Sequence, residues 1–137
     1  MHSFAYKLVK KIADKKAVDA LIPILNEEDD TARFYAAQAL GNIGSQRAVK
    51  ALSEALYDCD YSVRYMVAKA LINIGGAPAI DALVNALKNG DESLREIAAN
   101  ALGKSEDKNV LSALITAEKM DSCEAVRKAA RKSLEKV

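Results

Sequence analysis

Residues 29–44 read DDTARFYAAQALGNIG, the pattern of one short amphipathic helix between a capping Asp and a Gly. Ala32, Ala36, Ala39, Leu40 and Ile43 fall at the three- and four-residue steps that line one face of an α-helix. The phrase returns as DYSVRYMVAKALINIG (60–75), DESLREIAANALGKSE (91–106) and CEAVRKAARKSLEKV (123–137). Arg33, Arg64 and Arg95 stand 31 residues apart, and Arg127 follows at 32 because the last turn carries one extra residue. A fixed period of this length marks a repeat architecture.

A second phrase precedes each copy: AVDALIPIL, AVKALSEAL, AIDALVNAL and VLSALITAE. Val18, Val49, Ile80 and Leu111 share its register, as do Leu21, Leu52, Leu83 and Leu114. Each repeat is therefore two short helices, and nothing has the alternation of a strand. Asp14, Ser45, Gly76 and Asp107 are N-cap types at the expected starts of the first helices. Asp29, Asp60 and Asp91 open the second helices, where a carboxylate suits the positive end of the helix dipole. Gly41, Gly44, Gly75 and Gly76 are expected as helix stops, and Pro23 as a kink in a first helix. Alanines such as Ala36, Ala37, Ala68 and Ala99 are small enough for close helix approach.

The expected fold is all-α, a solenoid of stacked antiparallel helix pairs forming one domain over 1–137. Residues 1–13 form an N-terminal cap helix, a lone second helix with Ala5, Leu8, Val9 and Ile12 one period before Ala36, Ala39, Leu40 and Ile43. Repeats follow at 14–44, 45–75 and 76–106, and 107–137 is a C-terminal capping repeat. Arg131 and Ser133, in places held elsewhere by Ala, are expected to face water, which would make a finished short solenoid.

Over residues 14–137 the D-x-x-V-R-x-x-A-A-x-A-L-G-x-I-G phrase resembles the HEAT-like repeat of the phycobilisome-lyase type. The resemblance implies an armadillo-like solenoid whose second helices line a concave face. It specifies fold more than function, since the repeat serves lyases, hydroxylases and scaffolds. The deoxyhypusine hydroxylases that share it carry His-Glu pairs for iron, whereas the single His here is His2.

Composition narrows the chemistry. Twenty Lys and Arg against nineteen Asp and Glu leave a net charge of +1, which argues against a bulk polycation. Half the residues are hydrophobic, enough for a core, yet no apolar run approaches a membrane span. No signal-peptide pattern opens the chain, so a cytoplasmic location is expected. Cys59 and Cys123 lie in turns two repeats apart. Stacking at about 8–10 Å per helix separates them by on the order of 20 Å, too far for a disulfide. The acidic turns (Glu27, Glu28, Asp29 and Asp30 in the first) have no EF-hand spacing and fit helix capping better than a metal site. No catalytic residues, cofactor or metal are assigned.

Two sets of side chains stand out. Arg33, Arg64, Arg95 and Arg127 recur in register with the core, which favours a structural ladder bonded to neighbouring turns over a phosphate grip. On the outward face of the second helices, the positions after each Arg place Phe34, Tyr35, Gln38, Asn42, Tyr65, Met66, Lys69, Asn73, Ile97, Asn100 and Lys104 along one groove. The five- and nine-residue positions also hold Lys7, Lys11, Lys132 and Lys136 and no acid. An aromatic strip flanked by lysines fits a protein or peptide partner that is acidic or neutral. The expected function is a non-enzymatic protein–protein interaction or scaffold module. The alternatives are an accessory or lyase-like subunit of a cofactor- or chromophore-handling enzyme, implied by the resemblance alone, and a weak nucleic-acid binder. Near-neutral charge weighs against the last.

Overall fold

The computed structural model describes residues 4–136, so His2 lies outside it. All its regular structure is helical: α1 (Phe4–Leu21), a 3₁₀ segment (Ile22–Asn26), α2 (Asp30–Ile43), a 3₁₀ turn (Gln46–Ala48), α3 (Val49–Ala55), α4 (Tyr61–Ile74), α5 (Ala77–Asn89), α6 (Glu92–Leu102), α7 (Lys108–Met120) and α8 (Glu124–Leu134). The second helices α2, α4, α6 and α8 pack side by side in chain order. The first helices α3, α5 and α7 form the other layer. The fold is an α-solenoid of stacked antiparallel helix pairs. Leu40, Leu52, Leu71, Leu83, Leu102 and Leu114 are fully buried between the layers. Each leucine so placed stabilises the fold by roughly 1.5–3 kcal/mol.

Local signals account for most boundaries. Asp29 accepts from the Thr31 N–H at 2.9 Å, Asp60 from Val63 at 3.0 Å and Asp91 from Leu94 at 2.8 Å. Ser45 and Asp107 cap the starts of the second and fourth repeats in the same way. Gly44 and Gly75 close α2 and α4 with φ of 76° and 70°, a left-handed conformation that L side chains resist. Pro23 does not kink a helix. α1 stops at Leu21 and the chain continues as 3₁₀ turns, because Pro has no N–H to extend the α ladder.

Four sequence expectations give way. The cap helix and the first helix of repeat one are a single helix, so Asp14 lies inside α1 and caps nothing. At the places of Gly44-Ser45 and Gly75-Gly76 the first copy has Ala13-Asp14. Alanine in the left-handed conformation costs about 1–2 kcal/mol, which closes the route that Gly44 and Gly75 take, and the first copy has no Gly at the place of Gly103, where α6 ends without a positive φ. Lys10 and Asp14, four apart and 3.1 Å from each other, support the unbroken helix further. Gly41 is no stop; it lies within α2, where a Cβ would meet Ala70 of α4 at 2.8 Å.

Ser133 is buried rather than facing water. Gly103 turns its N–H to the Ala101 carbonyl, which leaves the Ala99 carbonyl free at the end of α6, and the Ser133 hydroxyl donates to it at 2.7 Å. Leu111, in register with the buried Val49 and Ile80, is exposed. Those two are covered by the next first helix, and none follows α7 among the described residues.

Candidate functional site

The arginines lie along the turns inside the repeats. Arg33 grips Asp58 of the next repeat with two bonds, Nε at 2.8 Å and Nη2 at 3.1 Å. Its Nη1 donates to the Glu27 and Glu28 carbonyls of its own turn. Arg95 repeats this with Asp121, at 3.0 and 3.1 Å, and with the Gly90 carbonyl. Asp58 and Asp121 each accept one further N–H, from Asp60 and Cys123. Burial alone would raise these carboxyls. The arginine and backbone hydrogen bonds, with the charges of Arg33 and Arg64 at Asp58 and of Arg95 and Arg127 at Asp121, outweigh it and hold both below the ordinary carboxylate range.

The even rungs differ. Arg127 donates to the Asp121 carbonyl at 2.7 Å. Arg64 donates to the Asp58 carbonyl and the Ser93 hydroxyl and packs over the Tyr61 ring, but its buried Nε has no partner. The residue one period after Asp58 is Asn89, whose amide is turned to Asn85. Asn89→Asp is expected to give Arg64 the carboxylate its neighbours have. Thermal melting should rise by a few degrees, for about 1 kcal/mol. An unchanged melt would mean that α5, which runs to Asn89 where α3 stops at Ala55, carries residue 89 out of reach.

With the guanidiniums turned into the ladder, the outer face of the second helices belongs to other side chains. Tyr65, Lys69 and Asn73 recur every four residues along α4, in line with Asn100 and Lys104 at α6 and with Lys132 and Lys136 at α8. Where these stripes meet lies a groove of about 130 Å³. Tyr65, Lys69, Ala68 and Ile72 of α4 form one wall, and Ile97, Asn100 and Ala101 of α6 form the floor. Lys104, Lys132 and Lys136 close it. No carboxylate lines it, and none of its four lysines is in an ion pair among the described residues.

The structure thus brings Tyr65, Lys69, Ile97, Asn100 and Lys104 together and leaves the other groove candidates apart. Phe34 is half-buried and edge-on to the exposed Tyr35, with centroids 5.3 Å apart. Gln38, Asn42 and Asn73 are exposed outside the groove. Met66, at 8% exposure, is core rather than contact surface, and Ile97, at 4%, offers only its edge. Both sit on helices that follow another second helix, whereas Tyr35 in the same register has none beside it among the described residues and is 60% exposed. Ile72 was missed; its signal was its place seven residues after Tyr65 and three after Lys69.

Cys59 and Cys123 are free thiols. Among the described residues, no group of three or more His, Cys, Asp or Glu is arranged to hold a metal ion, and no helix is long and apolar enough to cross a membrane.

The chain matches the family model described as HEAT repeats over residues 3–63 and 50–135. It is similar to the structure of human deoxyhypusine hydroxylase in complex with glycerol, with 25% identity and a TM-score of 0.82, over 92% of this chain and 45% of that one. It is also similar to the complex of CpcE and CpcF of phycocyanin lyase from Nostoc sp. PCC7120, with 29% identity and a TM-score of 0.65, over 87% of this chain and 52% of that one. The chain spans about half the length of each. Among curated proteins none matches it in sequence.

Proposed function

The chain belongs to the HEAT-repeat family, and from that premise we propose that it is a non-enzymatic interaction module that binds an acidic segment of a protein partner along its second-helix face. The carrying observation is the α4–α6–α8 groove, with Tyr65 and four lysines that no carboxylate neutralises. Acids on a ligand would meet a surface whose positive charge is not already spent within the protein, which raises both association rate and selectivity. Size argues in the same direction. A groove of about 130 Å³ takes one or two side chains, whereas sites for cofactors or drug-sized molecules run to roughly 300–1,000 Å³. Tyr65, 50% exposed at the rim, offers a flat amphipathic contact of the kind enriched in binding hot spots. The free thiols suit a reducing compartment such as the cytoplasm.

A fluorescein-labelled Glu/Asp-rich peptide, titrated with the protein and followed by anisotropy, tests this. Binding should weaken as salt rises, and Lys69→Glu with Lys104→Glu should lower affinity tenfold or more, roughly 1.4 kcal/mol, without moving the melting temperature. Equal binding by the double variant sinks the reading. Tighter binding of an RNA or DNA strand of matched charge would assign the groove to phosphates instead. The similarity to phycocyanin lyase favours a second reading, an accessory of a chromophore-handling enzyme. A shift in a bilin absorption band on adding the protein would support it.

A further inference from the structure

We infer that the N-terminal half of α1 is an exchanged arm, docking on α2 of a second copy of the chain so that the reciprocal contact makes a two-fold dimer. The arm has the composition of a second helix. Phe4, Ala5, Leu8 and Val9 stand one 31-residue period before Tyr35, Ala36, Ala39 and Leu40, and two before Met66, Val67, Ala70 and Leu71. In α4 that set is buried, and Ala70 lies directly against Gly41 of α2. In the arm the same set is left open among the described residues: Phe4 is 81%, Val9 66% and Leu8 48% exposed.

The receiving face is bare as well. Met66 and Ala70 are buried in α4, which packs on the preceding second helix, whereas no second helix among the described residues lies beside their counterparts on α2, the exposed Tyr35 and the half-buried Ala39. Beyond the end of α2, an open cleft of about 720 Å³ runs between Ile43 and the arm residues Leu8 and Ile12. Arm and face are the two halves of one repeat contact, present in the same chain and unsatisfied together.

The arm of a given chain cannot reach its own α2 while α1 is straight, because a second helix must run antiparallel to the first helix that follows it. The later turns reverse either at a glycine with positive φ, Gly44 or Gly75, or over the five non-helical residues 103–107 after α6, whereas α1 runs helical without a break from Phe4 to Leu21. A second copy provides the orientation without a bend. Two straight α1 helices related by a two-fold axis near residue 13 run antiparallel, and each arm then lies along the other chain's α2. The contact is isologous and closed, the form most homodimers take, and exchange of an identical element is a low-cost route to it. The arm lies away from the α4–α6–α8 groove, so its test does not depend on that groove.

Light scattering after size exclusion, at tens of micromolar protein, should give about twice the 14.8 kDa chain mass. Val9→Asp changes an exposed arm residue outside the folded body, and should halve the mass while leaving the circular dichroism spectrum helical. Ala13→Gly with Asp14→Ser installs the pair that ends α2, lets the arm fold back on its own chain, and should also give a monomer. A monomeric wild-type protein, or a dimer that survives Val9→Asp, overturns the proposal.

Discussion

Gly41→Val is expected to destabilise the fold by about 3 kcal/mol, at the upper end of what overpacking a core costs. A Cβ at residue 41 would sit 2.8 Å from the Ala70 Cα and 2.9 Å from its Cβ. Neither atom can turn aside, one being backbone and the other rigidly attached to it, so α2 and α4 must separate. That pair is the closest contact in the second-helix layer, and Ala36, Ala37, Val67 and Ala68 would lose packing with it. Gly41→Ala should cost less, about 1 kcal/mol. Its single methyl still collides, but glycine inside a helix is itself unfavourable by roughly 0.5–1 kcal/mol relative to alanine. Urea denaturation followed by circular dichroism gives the order wild type, Ala, Val. A valine variant that unfolds at the wild-type midpoint would show that the helices are free to spread.

Asp121→Ala, and separately Asp58→Ala, should each cost about 2–3 kcal/mol, less than the 3–5 kcal/mol typical of breaking a fully buried pair because solvent still reaches the rim of these turns. Each aspartate takes two hydrogen bonds from one guanidinium and one from a backbone N–H. Removing it strands all three donors. Because Arg33 and Arg95 come from the preceding repeat, the loss also loosens one repeat from the next.

The pH dependence follows from the depressed carboxyls. A group whose folded pKa lies below its unfolded value contributes stability that is fully present above the unfolded pKa, near pH 4 for an aspartate, and lost as pH falls through the folded pKa. Asp58→Asn and Asp121→Asn should therefore sit a constant amount below wild type at neutral pH. The gap should close below about pH 4, as the wild-type carboxylates take up protons. A gap that does not narrow at all as the pH falls below about 4 would mean that shape rather than charge holds the turns.

Much of this molecule is legible in its sequence because one period carries several independent signals in the same register. Val18, Leu21, Leu40 and their counterparts mark the core. Asp29, Asp60 and Asp91 mark helix starts, and Gly44 and Gly75 mark ends that need a left-handed residue. The recurrence of Arg33, Arg64 and Arg95 pointed to their place beside the turns. It did not reveal that only alternate rungs have a carboxylate, since that depends on residue 89 of a different helix pair being Asn.

The misreadings have a common origin. Periodicity gives the face of a helix, but burial depends on what stands beside that face. Tyr35 and Met66 hold the same position in their repeats, yet one is exposed and the other buried, because among the described residues α4 has a second helix packed before it and α2 does not. Leu111 differs from Ile80 for the mirror-image reason at the other edge. Ser133 is polar and buried because a carbonyl on α6 needed a donor, a fact about the neighbouring helix that no single helix displays.

The repeat, its length, its helix pairs and the charge segregation between acidic turns and a lysine-bearing face can all be read from the residues in order. Within each copy the signals are local, namely spacing, capping and side-chain type within a few helix turns, and the period only repeats them. Which lysines share a groove, that Gly41 serves close approach, and that the first ten residues of α1 stand away from α2 emerge once the helices are packed together. Those outcomes depend on contacts between residues about a period apart, and on whether α1 continues through Ala13-Asp14, where the later copies turn.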